Sequence, residues 1–117
     1  MIEPAYKITT ANYLFASGYQ GEAIEILKNQ IANDSRDLDA ITSIVQIYEQ
    51  NKDYRNAMLG REKIRELDPW NSKNLLQLGR EYKYFGEIGK MKEVLNFISS
   101  FDSSSNESKL AQSELVE

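Results

Sequence analysis

Lys52-Asp53-Tyr54-Arg55-Asn56-Ala57, followed by Glu66-Leu67-Asp68-Pro69, is the stretch from which the rest of the chain can be ordered. Thirty-four residues before Ala57 stands Ala23, in Gly18-Tyr19-Gln20-Gly21-Glu22-Ala23. Thirty-four residues after it stands Met91, in Gly86-Glu87-Ile88-Gly89-Lys90-Met91. The same shift aligns Thr10, Ile44 and Leu78; Ala11, Val45 and Gly79; Leu14, Tyr48 and Tyr82; and Leu27, Arg61 and Leu95. Most columns keep one physical type, which marks an internal repeat.

Each repeat reads as two helices. Ile41, Ile44, Val45 and Tyr48 fall on one helical face at spacings of three and four, and Asn51-Lys52-Asp53 then breaks the pattern. Ala57, Ile64 and Leu67 form the next apolar face, which Asp68-Pro69 ends, because proline lacks a donor and disfavours helix at the residue before it. The third repeat follows with Leu75, Leu78 and Tyr82, then Val94, Leu95, Ile98 and Phe101. The spacing predicts helices near residues 5–17, 20–33, 37–50, 54–67, 71–84 and 88–101. Ala11, Ala23, Ala57 and Gly79 are small where two helices must approach closely. Helix pairs of this length cannot bury their faces alone, so they must stack. A generic helical bundle is the competing fold, but it would not require residue types to recur at a fixed interval.

The interval, the D-Y-x-x-A turn at 53–57, the E-L-D-P-W-N exit at 66–71 and Leu78-Gly79-Arg80-Glu81-Tyr82 together resemble the tetratricopeptide repeat. The resemblance covers residues 4–101 and divides them into repeats at about 4–37, 38–71 and 72–101. It implies an all-α fold, a right-handed α-α superhelix of three helix hairpins, and a non-enzymatic module that binds a peptide or helix of another protein in a concave groove. Two departures stand out. Ser35 replaces the closing proline of the first repeat, and Arg61 occupies a place where the family prefers a bulky apolar residue, which suggests a stem laid along the core edge. Residues 102–117 form a separate segment. Asp102-Ser103-Ser104-Ser105-Asn106 reads as a flexible linker, and Ser108 to Val116, with Leu110, Ala111 and Leu115, reads as either a short capping helix or a frayed tail.

Composition narrows the chemistry. The 117 residues contain no Cys and no His, which excludes disulfides, thiolate chemistry and imidazole as base or metal ligand. No catalytic residue, metal ligand or cofactor site is expected. A net charge of −4 gives no basic excess for nucleic acid. No apolar run approaches the ~18 residues of a membrane span, and the N-terminus has no signal-peptide pattern. Gly86-Glu87-Ile88-Gly89-Lys90 lacks the spacing and the hydroxyl of a phosphate loop. Asp37 and Asp39 suit a helix start, where they favour the dipole.

Beside the buried stripe of each first helix runs a second one, which is expected to line the groove: Ile8, Asn12 and Phe15; then Thr42, Gln46 and Glu49; then Leu76, Arg80 and Lys83, with Lys73 one turn earlier. It is apolar and amide in the first repeat and basic in the third, which suits a ligand with acidic and apolar residues. Trp70, just after Pro69, reads as a lid over neighbouring helices or as an interface anchor. The family's carboxylate clamp, which grips the C-terminus of heat-shock chaperones, would place Lys, Asn, Asn, Lys and Arg at positions 8, 12, 43, 73 and 77. This chain has Ile8, Asn12, Ser43, Lys73 and Gln77, so three of the five clamp donors are missing. A homo-oligomer remains open.

Residues 57–86, with R-x-K-I-x-E-L-D-P-W-N-x-x-N-L-L-Q-L-G-R-E-Y-K, are also similar to the soluble repeat region of some bacterial O-antigen ligase or polymerase proteins. That resemblance implies an accessory domain attached to an inner-membrane protein; the free-standing adaptor implies a cytoplasmic one.

Overall fold

The computed structural model describes residues 4–116, so the last residue of the 102–117 segment lies outside the described residues. Those residues form helices throughout: α1 (Pro4–Ala16), α2 (Gln20–Asn33), α3 (Leu38–Gln50), α4 (Tyr54–Leu67), α5 (Ser72–Tyr84), α6 (Ile88–Phe101) and α7 (Asn106–Val116). Every boundary expected from the periodicity falls within one residue of these. First helices begin at 4, 38, 72 and 106, and second helices at 20, 54 and 88, so the 34-residue step also governs α7.

The turn inside each hairpin is made by one left-handed residue. Gly18 (φ 91°), Lys52 (φ 60°) and Gly86 (φ 75°) occupy the same place in successive repeats. The following residue sends its N–H back to the preceding helix, Tyr19 to the Leu14 carbonyl, Asp53 to Tyr48 and Glu87 to Tyr82, each at 2.8 Å. Gly18, Lys52 and Gly86 themselves donate to Phe15, Glu49 and Lys83 at 3.0–3.1 Å. This pair of bonds is the Schellman closure, which satisfies two of the last carbonyls of the helix. Lys52 adopts a conformation that a Cβ makes costly by about 1–2 kcal/mol.

Between hairpins a second device repeats. Asp34, Asp68 and Asp102 end the second helices, donating N–H to Gln30, Ile64 and Ile98 at 2.9, 2.7 and 2.9 Å. Three residues later Asp37, Asn71 and Ser105 accept from the N–H of Ala40, Asn74 and Ser108 at 3.1, 3.0 and 3.0 Å. Short polar side chains at that position satisfy an otherwise orphaned donor of the first turn. The Ser-rich 102–106 segment, expected to be a flexible linker, is therefore a third copy of this connector. Its serine caps α7.

The chain divides into two compact units at Gly60/Arg61, inside α4. In the first unit, Ala11, Ala23, Leu27, Ala40, Ile44 and Ile47 form the core, with Ile8, Leu14, Phe15 and Tyr48 packed against it. A Cβ on Gly60 would stand 2.3 Å from Val45 Cγ2, so α4 approaches α3 there through a bare backbone. In the second unit Leu75, Leu78, Val94, Leu95 and Ile98 are fully buried. A Cβ on Gly79 would meet Leu95 Cδ2 at 2.4 Å, which explains the small residue in that column. The Tyr82 hydroxyl donates to Glu62, and burial, with that carboxylate, raises its pKa far above the usual tyrosine range.

Arg61 corrects an expectation. Its column mates Leu27 and Leu95 are fully buried, and Arg61 follows them inward rather than snorkelling along an edge, with only 9% of its surface exposed. Its Nη1 donates to Asn74 Oδ1 at 3.1 Å, Asn74 Nδ2 donates back to the Arg61 carbonyl at 3.0 Å, and Glu81 Oε2 lies 3.9 Å from Nε. Asn74 and Glu81 are themselves buried. Removing one member of a buried charged set commonly costs about 3–5 kcal/mol, whereas replacing the whole set with apolar residues is often neutral or stabilising. Arg61→Leu alone should thus lower the melting midpoint sharply. Arg61→Leu with Asn74→Ala and Glu81→Ile, the residues of the equivalent columns, should restore or exceed the wild-type midpoint. Denaturant melts of the two variants check this, and equal losses in both would contradict it.

Candidate functional site

The first unit places α1 beside α3, and between them lies an open cleft of about 600 Å³. Phe15 and Ile47 supply its apolar lining, Asn12, Gln46 and Gln50 its carboxamides, and Lys52 and Tyr54 reach in from the turn. The polarity follows from helix geometry. Ala11, Ile44 and Ile47 take the buried stripe, so residues one step round the helix, Asn12, Phe15, Ser43 and Gln46, meet the opening. Asn12, Phe15, Gln46 and Glu49 of the expected groove come together here. Ile8 is half-buried and packs against the core cluster instead of lining the cleft. Sequence reasoning missed Gln50, Lys52 and Tyr54. The left-handed position at residue 52, equivalent to Gly18 and Gly86, was the signal that the turn aims these side chains.

Each carboxamide offers both a donor and an acceptor, so three of them around an aromatic ring can match the alternating N–H and C=O groups of a peptide backbone.

In the second unit Leu76 is 5% exposed and belongs to the core, not to an open surface. Arg80 and Lys83 are half-buried on α5, and both meet Glu114 of α7: Arg80 Nε lies 2.9 Å from Glu114 Oε1 and Lys83 Nζ 3.6 Å from Oε2. Lys73 is exposed near the start of α5. Two of the three cations expected at the basic end of a groove are thus already facing a carboxylate from the same chain. α7 is held to α6 through the Ser99–Ser108 hydroxyl pair and through Gln112 Nε2, which donates to Ser99 Oγ, both at 2.8 Å, and Ala111 of α7 is buried.

Trp70 lies across α6. Its ring stacks on Phe97 at a centroid distance of 5.4 Å and meets Phe101 edge-on at 5.1 Å, yet it remains 62% exposed. It acts as a lid over those two rings while keeping a broad face to solvent.

No family model matches the chain, and no curated protein matches it. Solved structures do. The second TPR domain of human RPAP3, determined in complex with the HSP70 peptide SGPTIEEVD, superposes with a TM-score of 0.77 at 18% identity, over 98% of this chain and 99% of that one. MamA superposes with a TM-score of 0.74 at 18% identity, over 97% of this chain and 70% of that one. The C-terminal TPR-containing domain of a Plasmodium falciparum protein named for FK506 binding gives 0.63 at 22% identity, over 97% and 93%. The fold is that of tetratricopeptide-repeat domains.

Partly exposed ion pairs contribute little, about 0–1 kcal/mol each. Glu114→Gln should accordingly move the melting midpoint only slightly while accelerating amide hydrogen exchange across α7. Unchanged exchange in α7 would show that Ser108 and Ala111 hold the helix without Glu114.

Proposed function

We propose that this chain is a non-enzymatic protein-interaction module that holds a peptide segment of another protein in the cleft between α1 and α3. The observation that carries this reading is the cleft itself, in which Asn12, Gln46 and Gln50 surround Phe15 and Ile47. Apolar contact with Phe15 supplies affinity, and the carboxamides fix the register of the bound backbone. Separately, in the second unit, Arg80, Lys83 and Lys73 on α5 carry positive charge, which favours encounter with acidic residues. Arg80 already donates to the Glu114 carboxylate, which also lies beside Lys83, so an acidic partner competes with Glu114 for them.

The bound peptide of the RPAP3 domain supports a peptide as the class of ligand. Its sequence is not the one expected here, because Ile8, Ser43 and Gln77 stand where the family's carboxylate clamp would place Lys, Asn and Arg. Among the described residues no helix is long and apolar enough to cross a membrane. Attachment to an O-antigen ligase or polymerase of the bacterial inner membrane rests on the resemblance of residues 57–86, and the length of the parent gene decides between that and a cytoplasmic adaptor.

Peptides selected on the full chain from a random display library, then titrated by fluorescence anisotropy, test the reading. Phe15→Ala with Gln46→Ala should weaken them about tenfold or more, the loss of a central anchor. It should also lower the melting temperature, because Phe15 packs against the core. Gln46→Ala alone, at an exposed position, should weaken binding with little change in melting temperature. Arg80→Glu with Lys83→Glu should weaken the acidic ones, and added salt should weaken them further. Equal affinity of every selected peptide for wild type and the Phe15/Gln46 variant would remove the cleft as the binding site.

A further inference from the structure

Trp70, Phe97 and Phe101 form an aromatic patch that the repeat does not require. The 34-residue register places Arg36 and Ser104 in the column of Trp70, Asn29 and Lys63 in that of Phe97, and Asn33 and Leu67 in that of Phe101. All of these but Leu67 are polar. The Asp34 and Asp102 connectors close with the same backbone bonds as the Asp68 connector and have no aromatic ring at the equivalent place. Trp70 spends one side on Phe97 and Phe101, and 62% of its surface still faces solvent. An exposed apolar ring that neither the core nor the turn demands calls for another reason.

Two carboxylates accompany the ring. Asp68 stands two residues before Trp70 and accepts the Asn71 carboxamide at 3.3 Å. Asp102 directly follows Phe101 and accepts the hydroxyl of Ser72, two residues beyond Trp70, at 2.9 Å. Both donors are neutral, and both use Oδ2, which leaves Oδ1 of each aspartate able to accept from a ligand. The cations closest along the chain are engaged elsewhere: Arg65 with Glu93 at 3.1 Å and Lys63 with Glu66 at 3.3 Å. Lys73, exposed on the first turn of α5, forms an ion pair with neither aspartate among the described residues.

An open indole face beside two carboxylates without a cation suits one kind of side chain. A guanidinium stacks flat on an aromatic ring and donates in its own plane to carboxylate oxygens, whereas an ammonium is a strongly hydrated point charge. We propose that Trp70, with Asp68 and Asp102, is a seat for an arginine in a basic segment of a partner protein. The chain's net charge of −4 favours that encounter. The seat lies wholly in the second unit and shares no residue with the α1/α3 cleft.

Trp70 is the chain's only tryptophan, so its indole N–H resonance reports on the site directly. The probe is a short acetylated, amidated peptide of alternating arginine and glycine, titrated into the ¹⁵N-labelled full chain. Saturable shifts are expected at the Trp70 indole and at the Ser72, Phe97 and Asp102 amides. The same peptide with citrulline, which keeps the planar shape and loses the charge, should leave them unmoved. The lysine version should bind about threefold or more weakly. Trp70→Leu, followed at the Ser72 and Asp102 amides, should weaken binding by about threefold or more. Asp68→Asn with Asp102→Asn, which keeps an acceptor for Asn71 and Ser72, should do the same. The proposal is overturned by equal binding of the citrulline or lysine peptide, or by the absence of saturable shifts at millimolar peptide. It is also overturned by shifts spread over the carboxylates of α2 and α7, or by broadening at Trp70 that grows with protein concentration without peptide, which would make the occupant a second copy.

Discussion

A hairpin of two short helices has one flank too many. Each pair buries the stripe between its own helices, but the outer side of the first helix stays bare until another helix lies on it, and the rest of the structure depends on that constraint. It requires every hairpin to close in the same geometry and every connector to deliver the next helix at the same place. One left-handed residue at 18, 52 and 86 does the first, and the Asp34, Asp68 and Asp102 connectors do the second. Small residues then fit where a helix backbone meets a neighbouring side chain, as at Gly60 against Val45 and Gly79 against Leu95.

The same constraint explains why polar residues enter the interior of the second unit. Arg61, Asn74 and Glu81 occupy the columns that hold the apolar Leu27, Ala40 and Ile47 in the core of the first unit. An arginine in a leucine column survives only because the two residues opposite changed with it. Such a set contributes little net stability, but it restricts which helix can lie against α5.

The fold was legible because periodicity at 3.6 and at 34 residues agreed, and both arise from burial within one repeat. What escaped had its cause in contacts distant along the chain. Serine-rich composition pointed residues 102–106 toward a linker, although Asp102 and Ser105 stand in register with Asp68 and Asn71 and therefore cap α7. Leu76 sits one step beyond the buried stripe, and its periodicity gives no sign that it is covered. Of the candidate groove, Asn12, Phe15 and Gln46 were found because they flank core positions on neighbouring first helices. The engagement of Arg80 and Lys83 by Glu114 was not, since it joins residues more than thirty apart through a helix whose amphipathic pattern is weak.

The claim that one 34-residue geometry runs from α1 through α7 is tested most directly at Lys52, the non-glycine residue held in the left-handed turn, together with the last helix. Backbone NMR of the full chain, measuring the intraresidue Hα–HN Overhauser effect at Lys52 and Cα shifts across 102–116, reads both at once. The account predicts the strong intraresidue effect of a positive φ at Lys52, as at Gly18 and Gly86, and helical shifts that begin at Asn106. A negative φ at Lys52, or coil shifts from Asp102 onward, would contradict it.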